Sequence, residues 1–242
     1  GLVDDVYLIT TSQKSSEYTG RLARTIEELR LAGLGPDDVK IRYFVPDDED
    51  RVRGCYTSHI AVLREIQADM AQSKPKSLQK NYRVLVLEDN LEMTARMGGP
   101  EGDGLSNAID STRAFFEGKA GYGDWDVLHM AYMAYVPDLS MERLQPEAGG
   151  ADSVVQMRSG QGSAVGTSAY VISRSGVTRM LDFDRENGYC EAVPNVMARL
   201  FPDSRFATYP MVFHRAAKVG SLVNPQLDNF RQIMFSPALY TA

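Results

Sequence analysis

Glu88-Asp89-Asn90 is the stretch of this chain whose residue types are best suited to chemistry. It follows Arg83 to Leu87 (RVLVL), a near-continuous apolar run of the kind that forms a central parallel strand covered on both faces. Acidic residues directly after such a strand stand at the carboxyl edge of the sheet, where open α/β folds bind ligands. Hard oxygen ligands there suit Mg²⁺ or Mn²⁺, which can bridge to a diphosphate. A capped, solvated strand end would use the same residues, so the stretch gains meaning only in company. Asp89 and Asn90 are the candidate metal ligands. His214, directly after the last expected strand (YPMVFH), could complete the shell.

Gly54-Cys55-Tyr56-Thr57-Ser58-His59-Ile60 is a second constellation, read as the start of a helix. Thr57 or Ser58 can cap that helix, and its N-terminus favours an anion such as phosphate. His59 then falls in the first turn, where a positive charge is disfavoured, so a neutral hydrogen-bonding role is expected. Gly166 to Ser173 (GTSAYVIS) reads as a small-residue turn running into an apolar strand. Gly166 and Thr167 allow a backbone to approach a ligand closely, and they allow close helix packing equally well.

The elements that must position these groups alternate in type. Val6 to Thr10, Val39 to Val45, Arg83 to Leu87, Trp125 to Met130, Ala169 to Ser173 and Phe206 to Phe213 read as strands. Tyr18 to Ala32 carries Leu22, Ile26 and Leu29 at helical spacing, and Gly33 is its stop. Tyr56 to Ala71, Leu105 to Gly118, a stretch beginning at Gly176 and Cys190 to Leu200 read as further helices. Gln72 to Asn81 is a polar connection, 137–162 is a long aperiodic loop and the tail from 214 to 242 has no strong period. The pattern predicts an α/β fold with a mostly parallel central sheet and helices on both faces, as one domain over 1–242.

An apolar fraction of 43% and a charged fraction of 24% are those of an ordinary globular protein. The net charge of -6 argues against nucleic acid and anionic membranes as partners, because counterion release needs basic surface. No window is apolar enough to span a bilayer, and the first residues carry no basic-then-apolar signal pattern. The chain starts at Gly1 without a Met, so cytoplasmic and trimmed secretory-pathway luminal locations both stay open. Cys55 and Cys190 read as two buried thiols, with a single bridge as the alternative.

In order, a GC-x-x-SH-I helix start, an apolar strand ending in ED, a WD strand and a G-T-x-A-Y-x-I-S-R segment resemble glycosyltransferase family 25. That family includes bacterial lipooligosaccharide galactosyltransferases and the collagen galactosyltransferases. The resemblance covers roughly Val6 to Ser221 and is strongest at Gly54 to Ile66 and Leu85 to Leu91. It implies a GT-A type fold, a UDP-sugar donor (often UDP-galactose), Mn²⁺ dependence and inversion at the anomeric carbon. The acceptor would be a glycan or a glycoprotein. In place of the family's Asn-Leu-Asp-Arg-Arg this chain has Thr10, Thr11, Ser12, Gln13 and Lys14, which moves the donor-base and ribose contacts to Thr10, Thr11 and Arg21. Asn90 stands where the family commonly has Asp.

For a UDP-sugar, Ser58, His59, Glu88, Gly166 and Thr167 join Thr10, Thr11 and Arg21 as candidate donor contacts. An inverting transferase also needs a base for the acceptor hydroxyl, for which Glu191 is the first candidate, Asp126 the second and Asp184 the third. Arg158, Arg174 and Lys218 could neutralise the diphosphate, and 137–162 could close over the donor. Two other readings use the same residues: a catalytically silent nucleotide- or glycan-binding relative, and a metal-dependent phospho- or nucleotidyltransferase. The absence of a G-x-x-x-x-G-K-[ST] motif weighs against the last.

Overall fold

The computed structural model of the protein describes residues 2–12, 16–73, 82–93, 110, 112–117, 124–134, 141–143, 154–157, 164–208 and 211–215. In chain order these form β1 (Asp5–Thr11), α1 (Ser16–Leu31), β2 (Val39–Phe44), α2 (Arg51–Ser73), β3 (Arg83–Glu88), β4 (Leu91–Met93) and β5 (Val127–Ala134). There follow β6 (Met141–Arg143), β7 (Val154–Met157), β8 (Ala164–Ser173), α3 (Arg174–Asn187), α4 (Val193–Leu200), β9 (Arg205–Thr208) and β10 (Phe213–Arg215).

An eight-stranded sheet has the order β2-β1-β3-β8-β5-β9-β7-β6, and β10 and β4 form a separate two-stranded ribbon. β2, β1, β3, β5, β9 and β6 run one way, while β8 and β7 run against them. The class is α/β with a mostly parallel sheet, consistent with the GT-A type arrangement.

The period of two along each strand divides the core. Tyr7, Val84, Val86, Tyr170 and Ile172 face α2, α3 and α4, where Ile60, Leu63, Met180 and Val196 meet them. Val6, Leu8, Leu85, Leu87 and Val171 face the other way, onto Leu22, Ile26 and Leu29 of α1 and onto Phe115. Helices therefore cover both faces. Leu91, Met93 and Phe213 extend that second cluster into the ribbon.

Several boundaries differ from expectation. α2 begins at Arg51, not Tyr56, because the acidic loop caps it: Asp50 Oδ1 accepts from the amides of Val52 (2.9 Å) and Arg53 (3.0 Å). β8 starts at Ala164, so Gly166 and Thr167 lie in a strand and not in a turn. β6 and β7 occupy part of the stretch expected to be a loop, and β9 and β10 replace one final strand. Pro194 sits in the first turn of α4, where its missing N–H costs nothing. The expected helix over 105–118 is described at 110 and 112–117 and is helical at 110 and 112–116. The rest of it, the remainder of 137–162, Arg158, Lys218 and the tail past 215 lie outside the described residues. No described helix is long and apolar enough to cross a membrane.

α3 is fixed at both ends. Ser173 Oγ accepts from the Gly176 amide at 3.1 Å, and Gly188, at φ 63, closes the helix by donating to the Asp184 carbonyl. At Gly176 the helix lies so near β5 that a Cβ would stand 2.6 Å from the Asp126 carbonyl oxygen and 2.8 Å from Ile172 Cγ1. Alanine in an open helix position would add about 1 kcal/mol of propensity. Here the clash wins, and Gly176→Ala should destabilise the protein by about 1–3 kcal/mol in urea unfolding. A variant as stable as the parent would show that α3 can shift away from β5.

Candidate functional site

β1 and β3 are parallel neighbours, and both end at the same edge, where Glu88 closes β3 and Asp89 and Asn90 follow it. The expectation treats these side chains as one cluster. The structure divides them, because successive residues of an extended chain point to opposite faces. Glu88 turns towards α2 and Asp89 towards α1.

On the α2 side, Glu88 Oε1 accepts from Thr167 Oγ1 at 2.9 Å and pairs with His59 Nε2 at 3.3 Å. The opposite ring nitrogen, His59 Nδ1, lies 3.0 Å from the Tyr170 hydroxyl. An ionised carboxylate only accepts, so in the neutral ring Nε2 carries the proton to Glu88 and Nδ1 accepts from Tyr170. Burial would raise the Glu88 carboxyl, but the bond and charge of His59, the bond from Thr167 and the charge of Arg21 outweigh it and hold it below its ordinary value. Burial, with the charge of Glu88, pushes the Tyr170 hydroxyl well above its own. His59 lies in the third turn of α2, not the first, so the helix-end reason for a neutral ring does not apply.

Ser58 does not cap the helix. It lies inside α2 and donates to the Gly54 carbonyl at 2.7 Å, and Thr57 does the same at 3.1 Å. With the helix N-terminus at Arg51, the phosphate contact expected at Ser58 loses its basis.

On the α1 side, Arg21 Nη2 donates to Asp89 Oδ1 at 2.8 Å and Thr10 Oγ1 donates to Asp89 Oδ2 at 2.6 Å. Both side chains of this ion pair are about as buried as core leucines, at 5% and 6% exposure. Burial raises the Asp89 carboxyl above its ordinary value, with Arg21 and Thr10 pulling against it. α1 also holds the ribbon: Thr25 Oγ1 accepts from the Leu91 amide (3.4 Å) and Glu28 Oε2 from the Met93 amide (3.2 Å). His214 is buried in the ribbon and pairs in register with Glu92, so β10 does bring it next to the acidic turn. Thr11 ends β1 at the same edge.

Two metal arrangements can be weighed. Cys55 and His59, one helical turn apart, put their ligand atoms and that of Glu88 within 4.8 Å of one another, a possible metal-ligand group. A thiol and an imidazole suit Zn²⁺ better than Mn²⁺ or Mg²⁺. The Cys55 thiol is pushed well up, by burial first and then by Glu88. Both cysteines are free, Cys55 partly buried and Cys190 exposed, where two buried thiols were expected. The other arrangement, Asp89 with Asn90 and His214, does not fit a hard divalent cation as it stands. Each Asp89 oxygen already accepts one bond, and the Arg21 guanidinium 2.8 Å away would compete with an ion for the carboxylate. Sequence reading missed Cys55 and Tyr170 as members of the site. The C-x-x-x-H spacing on one helix face was a usable signal for Cys55.

The candidate bases separate. Val127 and Val84 both pair with Ile172, so Asp126 is level with the start of β3. That is about 16 Å along the strands from Glu88, at roughly 3.3 Å per residue. Arg174, at the start of α3 beyond the end of β8, stands at that same far edge, away from any diphosphate over Glu88. Asp184, on α3, is held by Tyr56 and Arg64 of α2. The loop that carries Glu191 returns to the α2 cap through Tyr189 and Asp50, and Glu191 pairs with Arg199 at 2.6 Å.

No family model and no curated protein matches this chain.

Proposed function

We propose that this chain is a glycosyltransferase that binds a nucleotide-sugar over the carboxyl ends of β1 and β3. In this reading it moves the sugar from a UDP-sugar, UDP-galactose being the first to try, to a glycan or glycoprotein acceptor. The observation that carries the reading is the acidic turn after β3, whose two carboxylates are each fixed by buried partners from different helices. Such preorganised charge at a sheet edge suits a ligand whose own charge changes during reaction. The resemblance to family 25 in motif order supplies the reaction class.

The acceptor oxygen forms a bond to the anomeric carbon as the bond from that carbon to UDP breaks. The acceptor proton passes to a base and UDP leaves with the electron pair. Glu191 is the carboxylate proposed for the proton, because its loop is tied to the start of α2 through Tyr189 and Asp50. Glu88, held by His59 and Thr167, is proposed to accept a hydrogen bond from a donor hydroxyl. The Mn²⁺ or Mg²⁺ that the resemblance implies would find Asp89 already paired, so no step is routed through it.

A screen of UDP-, GDP- and CMP-sugars, each with Mn²⁺ and with EDTA, tests the proposal. Release of UDP from one UDP-sugar is the expected result. Binding without release would point to the silent nucleotide-binding relative, a reading that Asn90 favours. Release of pyrophosphate or orthophosphate instead would make the chain a nucleotidyl- or phosphotransferase.

A further inference from the structure

We propose that Arg21 is the cation of the donor site: it contacts the diphosphate directly, and Asp89 orients it rather than holding a metal ion. This rests on the nucleotide-sugar reading above. Arg21 is 5% exposed, yet among the described residues its Nε and Nη1 have no hydrogen-bond partner. Only Nη2 is used, on Asp89 Oδ1. A guanidinium has no acceptor of its own, and leaving its N–H groups unmatched in a buried place is costly. They therefore call for a ligand with several acceptor oxygens. A diphosphate has them, and guanidinium is the side-chain cation best shaped to meet phosphate.

A second orphan follows Asp89 in the chain. Asn90, 8% exposed, has an Oδ1 without a partner among the described residues, one position after Asp89. This oxygen needs a donor, as a ribose or sugar hydroxyl would supply. The cation and the acceptor together match a sugar diphosphate better than a bare anion.

Position agrees with this chemistry. Arg21 is in the second turn of α1, which follows β1, and Asp89 follows β3, so both stand at the edge where ligands enter. A divalent ion on Asp89 would have to displace Thr10 or share the carboxylate with a guanidinium 2.8 Å away. Two cations on one buried carboxylate repel each other, and the arginine is part of the fold.

Calorimetric titration of UDP into the full chain, in EDTA and again in Mn²⁺, tests the inference. The dissociation constant in EDTA should lie within about threefold of that in Mn²⁺, less than 1 kcal/mol apart. Arg21→Met should weaken UDP by about 10- to 100-fold, the loss of charge-assisted hydrogen bonds. Arg21→Lys keeps the charge without the fork and should recover only part of that loss. UDP binding that appears only with Mn²⁺ would overturn the inference and leave the glycosyltransferase reading standing. So would an Arg21→Lys protein that binds UDP in EDTA as tightly as the parent, a result that stays readable if Arg21→Met fails to fold. No UDP binding in either buffer would remove the donor reading itself, and the inference with it.

Discussion

Asp89→Ala should lower stability by about 3–5 kcal/mol, because it leaves the Arg21 charge buried without its partner. Arg21 and Asp89 are 5% and 6% exposed, and Thr10 would lose its acceptor in the same change. Urea unfolding followed through Trp125, the single tryptophan, measures the loss. The pair is not itself a source of that stability. Burial already outweighs Arg21 and Thr10 at the Asp89 carboxyl and holds it above its ordinary value. Removing both charges should therefore recover much of what removing one destroys, and Arg21→Met combined with Asp89→Leu is the variant to compare. The double variant should fold well and bind UDP poorly. An Asp89→Ala protein within about 1 kcal/mol of the parent would mean that Arg21 is hydrated or held by other groups. That result would remove the premise of a built-in cation.

The linkage runs in opposite directions at the two neighbouring carboxylates. Asp89, raised in the folded state, takes up its proton more readily folded than unfolded, so its contribution to stability grows as pH falls through that raised value. Glu88, lowered in the folded state, contributes stability above its unfolded value and loses it as pH falls through the folded one.

Strands β1, β3 and β8 were legible because a strand covered on both faces needs an apolar run, and such runs stand out. The ribbon strands and β6 and β7 were not. Three or four residues cannot display a period, and Leu91–Met93 is a strand only because Phe213–Arg215 lies opposite it. The start of α2 was misplaced for a related reason. Arg51 to Cys55 has no apolar stripe, and the signal was the cap at Asp50 in a loop read merely as acidic. At the site, the parting of Glu88 from Asp89 was available from the strand period alone. Their partners were not, since Arg21 is 68 residues from Asp89 and Tyr170 is 111 from His59. The place of Asp126 was readable too. A residue before a parallel strand lies at the amino edge, the wrong end for a ligand held by the residues after β3.

On the proposed glycosyltransferase reading, Asp126→Ala should unfold easily and still transfer sugar. Its Oδ1 accepts from Ser175 Oγ at 2.6 Å, and Oδ2 accepts from Ser204 Oγ at 2.5 Å and from Arg179 Nη1. The backbone joins in, with the Asp126 amide on the Ser204 carbonyl and the Ser173 amide on the Asp126 carbonyl, both at 2.9 Å. One carboxylate thus ties the start of β5 to the first turns of α3 and to the turn before β9. Losing these bonds to a charged group should cost about 3 kcal/mol. Turnover per folded molecule should stay within about threefold of the parent, because a general base accounts for about 10²–10⁴-fold and this residue faces the far edge. Glu191→Gln is the matching control, expected to keep its stability to within about 1 kcal/mol and to lose transfer on the scale of a missing base. The reverse pattern, a stable Asp126→Ala protein with transfer down a hundredfold or more, would mean that acceptors reach the amino edge and that the donor site over Glu88 is misplaced.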